Sequence, residues 1–283
     1  MENVYITSAV RTPIGSFQGS LSSLSAPQLG ASVIKEAMAR SQIQNHDVNE
    51  CIMGEVLTAG VGQAPARQAA IYGGLPPSVA CLTINKVCGS GLKAVMLATD
   101  SIQLGHAETA IAGGQENMSL APHLLENSRS GYKMGSIQAT DSMIKDGLWD
   151  PYQNWHMGQA AEVCVREFQV SRQAQDEFAK NSYLKAQKAQ SEGYFTDEIV
   201  PVEIHNKNQK TRVEKDEEPF RARFDKMLEL KPAFEKEGTI TAALARIPNR
   251  TNRKFIALLR SNPNRAGWNI LLPTLLPTRI FCK

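Results

Sequence analysis

Extended and helical hydrophobic patterns alternate along the first 119 residues, and this alternation restricts the fold more than any other feature of the sequence. Short apolar runs, several of them ending in glycine, are separated by runs with apolar residues at helical spacing. Predicted strands cover residues 3–9, 48–60, 81–87 and 108–119, and predicted helices cover residues 25–40, 65–76 and 89–105. Such alternation is typical of an α/β layered domain with a largely parallel or mixed sheet.

Two of the predicted helices have a side that we expect to be buried. In helix 25–40 the apolar positions are Leu29, Val33, Ile34, Ala37 and Met38. In helix 89–105 the expected buried positions are Leu92, Val95, Met96, Thr99 and Ile102. Both sets recur at the three- and four-residue spacing of one helix face.

The character of the sequence changes after about Met118. Residues 119–242 are more polar and less regular, with a predicted helix at 171–193 and a predicted strand at 198–204. This pattern indicates a loop-rich subdomain inserted after the first α/β unit.

Composition excludes several classes of protein. Of the 283 residues, 42% are hydrophobic and 21% are charged, which is typical of a globular domain, and no apolar run has the length that spans a bilayer. The N-terminal residues lack the pattern of a signal or transit peptide, so we expect a cytoplasmic protein. Five scattered cysteines without CxxC spacing and five histidines without HxxxH spacing predict neither a disulfide framework nor a metal site.

Charge is distributed unevenly along the chain. Residues 243–283 contain eight basic and no acidic residues, which leaves 23 basic and 28 acidic residues, a net charge of −5, in residues 1–242. A basic segment attached to an acidic body requires its own explanation.

Cys88 is the candidate nucleophile. It follows the predicted strand 81–87 and is expected in the first turn of helix 89–105, where free backbone N–H groups and the helix dipole favour a thiolate. Gly89 and Gly91 would leave space around the sulfur for an acyl substrate, and an N–H group could face an oxyanion. The alternative is a buried structural cysteine, which is the usual place of an unpaired cysteine.

The segment NKVCGSGLKAV around Cys88 resembles the active-site cysteine motif of the thiolases, in particular the acetyl-CoA acetyltransferases. Further segments resemble the family in the same order, so that the resemblance covers residues 1–242 almost without a gap. These segments are AVRTPIGSFQGSL (9–21), GQAPARQAAIYGGLP (62–76), AGGQENMS (112–119), RSGYKMG (129–135), DSMIKDGLWD (141–150), HMGQAAE (156–162), EIVPVEI (198–204) and KPAFEKEGTITA (231–242).

The resemblance implies a fold and a reaction. The fold would be a thiolase-like layered α-β-α N-terminal domain at 1–118, with an inserted loop domain at 119–242 that covers coenzyme A and supports a homodimer or homotetramer. Cys88 would take the acyl group from an acyl-CoA, and acetyl-CoA would then condense with the acyl-enzyme to give acetoacetyl-CoA, with thiolysis as the reverse. Coenzyme A would act as substrate carrier and not as a cofactor, with no metal, nucleic acid or membrane involved.

Four further residues match family positions near the coenzyme. His156 and Met157 match a segment that lines the pantetheine and acyl pocket, and Leu148 matches a residue that packs near the coenzyme. Arg221, in a loosely matching stretch, corresponds to an arginine at the nucleotide end. Without the resemblance, His156 would be interpreted as a surface or core histidine with no role.

The resemblance stops at Ala242, where thiolases continue with a segment of the type GNASGxNDGA. For residues 243–283 three explanations compete: a frameshift or other gene disruption, a natural basic tail, or a divergent end of the domain. The sequence also contains no NEAF, GHPxGxSG or CxGGG motif, which would supply the asparagine, the histidine and the second catalytic cysteine. Cys282 has no glycine loop around it and cannot replace that cysteine.

Two expectations follow from the missing motifs. The first is that the second α/β domain and the last strand of the first domain are absent, which would expose an apolar face and a sheet edge. The second is that the chain has at most feeble activity, because catalytic groups that act as a unit fail together. The functional alternatives are therefore an acyltransferase with a defect, an inactive remnant that binds coenzyme A or thiolase subunits, and a basic-tailed binding protein.

Overall fold

The computed structural model of the chain describes residues 3–206, 209–245 and 255–261. Its first part alternates strands with helices, as the hydrophobic pattern predicts. These elements are β1 (Tyr5–Arg11), α1 (Ala26–Ser41), β2 (Glu50–Gly54), α2 (Pro65–Tyr72), β3 (Ala80–Ile84), α3 (Ser90–Gln103) and β4 (Thr109–Gly114). All seven predicted elements are confirmed, with shorter bounds for most of the strands.

The rest of the described chain consists of short ladders, four helices and one more strand of the main sheet. In chain order the elements are β5 (His123–Leu124), β6 (Thr140–Asp141), β7 (Trp149–Asp150), β8 (Trp155–His156), α4 (Met157–Glu167), α5 (Arg172–Ser191), β9 (Val202–Asn206), β10 (Gln209–Val213), α6 (Glu218–Arg221), α7 (Ala242–Ala245) and β11 (Phe255–Arg260). The predicted helix 171–193 is confirmed as α5, and the predicted strand 198–204 is displaced to β9.

A five-stranded mixed sheet organises the first part of the chain. Its strand order is β1-β11-β4-β2-β3, with β2 parallel to both β3 and β4 and with β11 antiparallel to β1 and β4. The carboxyl ends of β2, β3 and β4 therefore lie at the same edge of the sheet, which is where ligands bind in open α/β sheets.

Helices cover both faces of the sheet and bury two hydrophobic cores. One core lies between the sheet and the pair α1 and α2, and the other lies between the sheet and α3. Helix α1 begins with a capping box in which the Ser25 hydroxyl accepts from the Gln28 amide N and the Gln28 side chain accepts from the Ser25 amide N. All five apolar positions predicted for α1 are buried, so its amphipathic pattern is confirmed.

The buried side of α3 differs from the prediction. The helix buries Ser90, Ala94, Ala98 and Ile102, whereas the side chains of Leu92 and Met96 are 66% and 50% exposed. Small side chains face the sheet because they let the helix approach the strands closely. The larger apolar residues Leu92 and Met96 are left on the outer side of the helix, whereas the predicted Ile102 is buried.

The expectation that the first domain lacks its last strand is wrong. Residues of the basic C-terminal segment form β11, which lies between β1 and β4 with Ala257 opposite both Ala9 and Ala112. Residues Ile256, Ala257 and Leu258 are fully buried, and Leu259 is 2% exposed. A continuous apolar run suits a strand that is covered on both faces, which explains why this segment occupies a central position.

Arg11, at the end of β1, attaches the later, loop-rich region to the sheet. Its guanidinium donates to both carboxylate oxygens of Asp216 at 2.8 and 3.0 Å and to Glu198 at 2.6 Å, and it lies over the ring of Phe195 at 5.2 Å. The Asp216 carboxylate also accepts from the amide N of Ile14 at 2.7 Å. With Arg11 only 3% exposed, this network is a buried connection between segments about 200 residues apart.

The placement of β11 predicts a large effect of truncating its core side chain. Leu258→Ala removes a fully buried side chain and is expected to lower the free energy of unfolding by about 2–5 kcal/mol. Leu228→Ala is the matched control, since Leu228 is 78% exposed and its truncation should change stability by less than about 0.5 kcal/mol. Chemical denaturation of both variants is the measurement, and equal midpoints would contradict a central β11.

Candidate active site

The turn between β3 and α3 holds Cys88 in a backbone conformation that is unusual for its sequence. Val87 has φ of 45°, a left-handed conformation that is costly for a β-branched residue. The Asn85 side chain accepts from the Val87 amide N at 2.8 Å and compensates part of this cost. Cys88 follows directly, with an exposed side chain. A strained strand-to-helix turn that exposes a nucleophile is a known arrangement for covalent catalysis.

The hydroxyl of Ser90 fixes this turn through two hydrogen bonds to its backbone. It accepts from the Lys86 amide N at 2.8 Å and donates to the Val87 carbonyl at 2.6 Å, and Ser90 itself is only 4% exposed. Two backbone bonds close the same turn, from the amides of Gly89 and Ser90 to the carbonyls of Lys86 and Val87. The position of Cys88 is therefore determined by hydrogen bonds of its neighbours.

The predicted position of Cys88 in the first turn of the helix is wrong by two residues. Helix α3 begins at Ser90 with Gly89 as N-cap, so Cys88 precedes the cap. The amides of Gly89 and Ser90, which could have faced the sulfur, donate to carbonyls of the turn instead. The sulfur thus lies just outside the amino end of α3 with an exposed side chain, which contradicts the alternative of a buried structural cysteine.

Glycines at the carboxyl ends of two strands allow the start of α3 to approach the sheet. A Cβ on Gly54, at the end of β2, would lie 2.5 Å from the Ser90 carbonyl carbon. Gly114, at the end of β4, faces Gly91, whose Cα lies 3.3 Å from the position of a Cβ at 114. Gly91 therefore faces the sheet, and the expectation that it leaves room beside the sulfur is wrong. Gly54 and Gly114 lie inside the predicted strands 48–60 and 108–119, where neither stands out as a site of close contact.

His156 caps a helix of the loop-rich region. Its Nδ1 accepts from the Gly158 amide N at 2.9 Å at the start of α4, and its own amide N donates to the Gln159 side chain at 2.9 Å. The imidazole stacks on the ring of Phe234 at 5.1 Å, and a Cβ on Gly158 would overlap that ring. An accepting Nδ1 places the proton of the neutral ring on Nε2. The two bonds form a capping box. Histidine is not among the residues that predict an N-cap from sequence, so this cap had no clear sequence signal.

One contact links the segment that carries three of the predicted coenzyme residues, Leu148, His156 and Met157, to the edge of the sheet that carries Cys88. Leu148 precedes Trp149, which pairs with His156 in the β7–β8 ladder, and Met157 follows with a 43% exposed side chain. Gly147, the residue before Leu148, packs close to Leu57: a Cβ on Gly147 would lie 3.4 Å from the Leu57 side chain. Leu57 lies three residues beyond the end of β2.

Two further contacts anchor this edge of the sheet. The amides of Val56 and Leu57 donate to the buried Glu116 carboxylate, and the Glu55 amide N donates to the Ile84 carbonyl at 3.0 Å. Ile84 ends β3, four residues before Cys88. Arg221 is exposed at the end of α6, where Gln187 of α5 donates to the Pro219 carbonyl at 2.6 Å.

The described residues contain neither a cluster of three or more metal-ligating side chains nor a helix long and apolar enough to cross a membrane.

The contacts of Gly54 and Gly91 predict opposite outcomes for the same substitution. Gly54→Ala is expected to displace the start of α3 and to destabilise the fold by about 1–3 kcal/mol, because the new Cβ meets backbone atoms. Gly91→Ala should be tolerated, because its Cβ would lie 3.5 Å from Gly114 and alanine favours a helix by about 1 kcal/mol.

The measurement for this pair is thermal unfolding together with the rate at which Cys88 reacts with a thiol reagent, followed on the Cys88 peptide by mass spectrometry so that the reaction of Cys81 does not contribute. Only Gly54→Ala should change that rate. A destabilised Gly91→Ala variant with an unaffected Gly54→Ala variant would contradict the arrangement.

The cap at α4 predicts a pH dependence. Burial lowers the pKa of His156 in the folded state, so the unfolded chain binds a proton more readily than the folded one. The stability that the neutral ring contributes is present above the unfolded pKa of about 6.5 and is lost as the pH falls below it. His156→Asn keeps an acceptor for the Gly158 amide N without titrating, whereas His156→Ala loses about 0.5–2 kcal/mol of cap stability.

Thermal unfolding of the original chain and of His156→Asn between pH 8 and pH 5 is the measurement. The original chain should lose stability relative to His156→Asn below about pH 6.5. The same substitution at the exposed His106 controls for the loss of a histidine. Parallel curves for the original chain and the His156→Asn variant would show that the imidazole does not cap α4.

Comparison with known proteins shows which family this chain resembles in sequence. Residues 4–246 match the family described as thiolase, N-terminal domain. The acetyl-CoA acetyltransferase of Cupriavidus necator is 55% identical over 247 residues, which cover 87% of this chain and 63% of the relative. A probable acetyl-CoA acetyltransferase of Escherichia coli is 50% identical in an alignment over 100% of this chain and 71% of the relative. The chain thus spans about two thirds of the length of these relatives.

Solved structures give the same result. The Acat5 thiolase from Ascaris suum in complex with coenzyme A has a TM-score of 0.83 and 39% identity, over 92% of this chain and 66% of that one. The acetyl-CoA acetyltransferase of Bacillus anthracis has a TM-score of 0.86 and 36% identity, with the same coverage. The strained turn, the helices on both faces of the mixed sheet and the match over residues 4–246 lead to one conclusion: the chain belongs to the thiolase family.

Proposed function

We propose that Cys88 is the acyl acceptor of a thiolase-type acyltransferase reaction and that the acyl group is acetyl. The observation that carries the proposal is the exposed thiol on a strained turn, closed by the buried Ser90 at the carboxyl edge of the sheet. The names of the Cupriavidus and Escherichia relatives support acetyl-CoA as the substrate class. The coenzyme A complex of the Ascaris thiolase supports coenzyme A as the carrier.

The acylation step requires Cys88 as a thiolate nucleophile and coenzyme A as a thiolate leaving group. The Cys88 sulfur attacks the thioester carbonyl of acetyl-CoA, the carbon–sulfur bond to the coenzyme breaks, and the coenzyme leaves as a thiolate that takes up a proton. Condensation then needs a base that removes an α-proton from a second acetyl-CoA. The 283-residue sequence contains none of the three motifs that the family resemblance links to that step. Acylation of Cys88 is therefore the part of the reaction that we assign to these residues.

The coenzyme approaches Cys88 past the β7–β8 ladder in this proposal. Leu148 and Met157 offer apolar surface at the same edge of the sheet, and His156 keeps the start of α4 in place through its cap. Arg221, exposed at the end of α6, is proposed to meet the phosphates of the nucleotide end, with the planar guanidinium as their partner. Homo-oligomeric assembly, a cytoplasmic location and the division at residues 118 and 242 stay predictions, as does the origin of residues 243–283.

Incubation with acetyl-CoA tests the acylation. The chain should gain one acetyl group, and digestion followed by mass spectrometry should locate it on Cys88. Cys88→Ser should remove the adduct, whereas Cys164→Ser, which changes another exposed thiol, should keep it. Acetylation that is absent, or that persists in Cys88→Ser, would contradict the proposal. Binding of coenzyme A without an adduct would favour an inactive remnant.

A further inference from the structure

A second pair of thiols lies in the sheet, away from Cys88. Cys51 of β2 and Cys81 of β3 are register partners in a parallel ladder, so that their side chains point to the same face. That face packs against α1 and α2, where Cys51 is fully buried and Cys81 is partly buried against the core. Cys81 lies near the start of β3, at the end opposite to the Cys88 turn.

The spacing of the two residues suits a disulfide. Neighbouring parallel strands lie about 4.8 Å apart, and disulfides join Cα atoms that are roughly 4.4–6.8 Å apart. Because both residues occupy the same register position, the bond would form within the ladder without a shift of either strand. Both cysteines are free thiols in this structure.

The environments of the two thiols differ. The Cys81 thiol donates to the Val79 carbonyl at 3.4 Å. A hydrogen bond with the Cys51 thiol and the nearby guanidinium of Arg67 lower the pKa of Cys81 to about 7, although burial opposes this. The hydrogen bond to Cys81 and complete burial raise the pKa of Cys51 well above its usual range. Arg67 donates to the Pro77 carbonyl at 3.1 Å, which holds its guanidinium beside the segment that leads into β3. One thiol is thus prepared to attack, and its neighbour stays protonated.

We propose that Cys81 and Cys51 form a modification site for hydroperoxides, with Cys81 as the attacking thiol and Cys51 as the resolving thiol. The Cys81 thiolate attacks one peroxide oxygen, the O–O bond breaks, and hydroxide leaves, giving a Cys81 sulfenic acid. The Cys51 sulfur then attacks the Cys81 sulfur, the S–O bond breaks, and the hydroxyl leaves as water with the Cys51 proton. The pair loses two electrons and two protons, which the peroxide takes up as it is reduced to two water molecules. Fast attack by a partly exposed thiolate beside a resolving cysteine is the arrangement of redox-sensitive cysteine pairs.

The experiment uses the full chain with Cys88→Ser, Cys164→Ser and Cys282→Ser, which leaves only this pair. After treatment with hydrogen peroxide, peptide mapping without reduction should find a Cys51–Cys81 crosslink, and the intact mass should fall by two hydrogen atoms. The unsubstituted chain, mapped in the same way, controls for damage by the three substitutions. In concentrated urea the preference for this crosslink should be lost, because the strand register is gone.

Two variants at position 51 separate the roles of the pair. Cys51→Ser keeps a hydrogen-bond donor but cannot form the disulfide, so Cys81 should stop at a sulfenic acid that dimedone traps. Cys51→Ala removes the donor, and alkylation of Cys81 by iodoacetamide should slow several-fold relative to Cys51→Ser. Equal alkylation rates in these two variants would contradict the assignment of Cys51 as the donor.

Arg67→Gln tests whether the Arg67 guanidinium of α2 lowers the pKa of Cys81. It should slow alkylation of Cys81 several-fold, whereas Arg40→Gln, which changes an arginine of α1 paired with Glu36, should not. Circular dichroism establishes that each variant is folded. The proposal is overturned when the folded chain forms no Cys51–Cys81 crosslink with peroxide, or when Arg67→Gln and Arg40→Gln alkylate at the same rate.

Discussion

The buried charge of Arg11 is satisfied only when three segments distant in sequence are assembled around it. Its guanidinium needs Asp216 and Glu198, and Asp216 in turn accepts from the backbone of Ile14. Burying a guanidinium without its partners costs several kcal/mol, and breaking such a pair typically costs about 3–5 kcal/mol. The network therefore contributes to the choice of one arrangement more than to stability itself, because every alternative packing leaves a charge unpaired.

Other buried or half-buried carboxylates connect remote segments in the same way, most of them in the loop-rich region. Each accepts from backbone N–H groups of a remote segment, so that it replaces a missing ladder partner with a charge-assisted bond. The pairs are Glu217 with Ser16 and Ser20, Glu162 with Thr239 and Ile240, and Glu116 with Val56 and Leu57. A region with little regular structure is fixed in this way without a large apolar core of its own. The arrangement also explains why its sequence is more polar than that of the first part.

The sequence predicts the elements well and their surroundings less well. The alternation of strands and helices and the buried side of α1 follow from local patterns, because hydrophobic periodicity is a local signal. The buried side of α3 does not follow from hydrophobicity, since the small residues Ala94 and Ala98 are buried where the helix lies close to the sheet. The position of β11 in the sheet does not follow from local patterns either, because strand order is set by pairing partners far away in sequence.

The candidate site shows the same limit. Cys88 and His156 were identified by resemblance, yet the residues that fix them make contacts that no local pattern reports. The hydroxyl of Ser90 bonds the turn that precedes it, and Gly54 contributes only the absence of a side chain. The capping box at His156 and its stacking on Phe234 are both seen only in the fold.

The turn at Cys88 links packing directly to reactivity. The left-handed conformation of Val87 persists because the Ser90 hydroxyl and the Asn85 side chain bond the backbone on both sides of it. Ser90 keeps its position because Gly54 lets α3 lie against the end of β2. The sulfur itself is exposed and adds little to this arrangement. Its orientation therefore depends on buried contacts at the sheet edge, so that substitutions there change the reactivity of Cys88 without touching it.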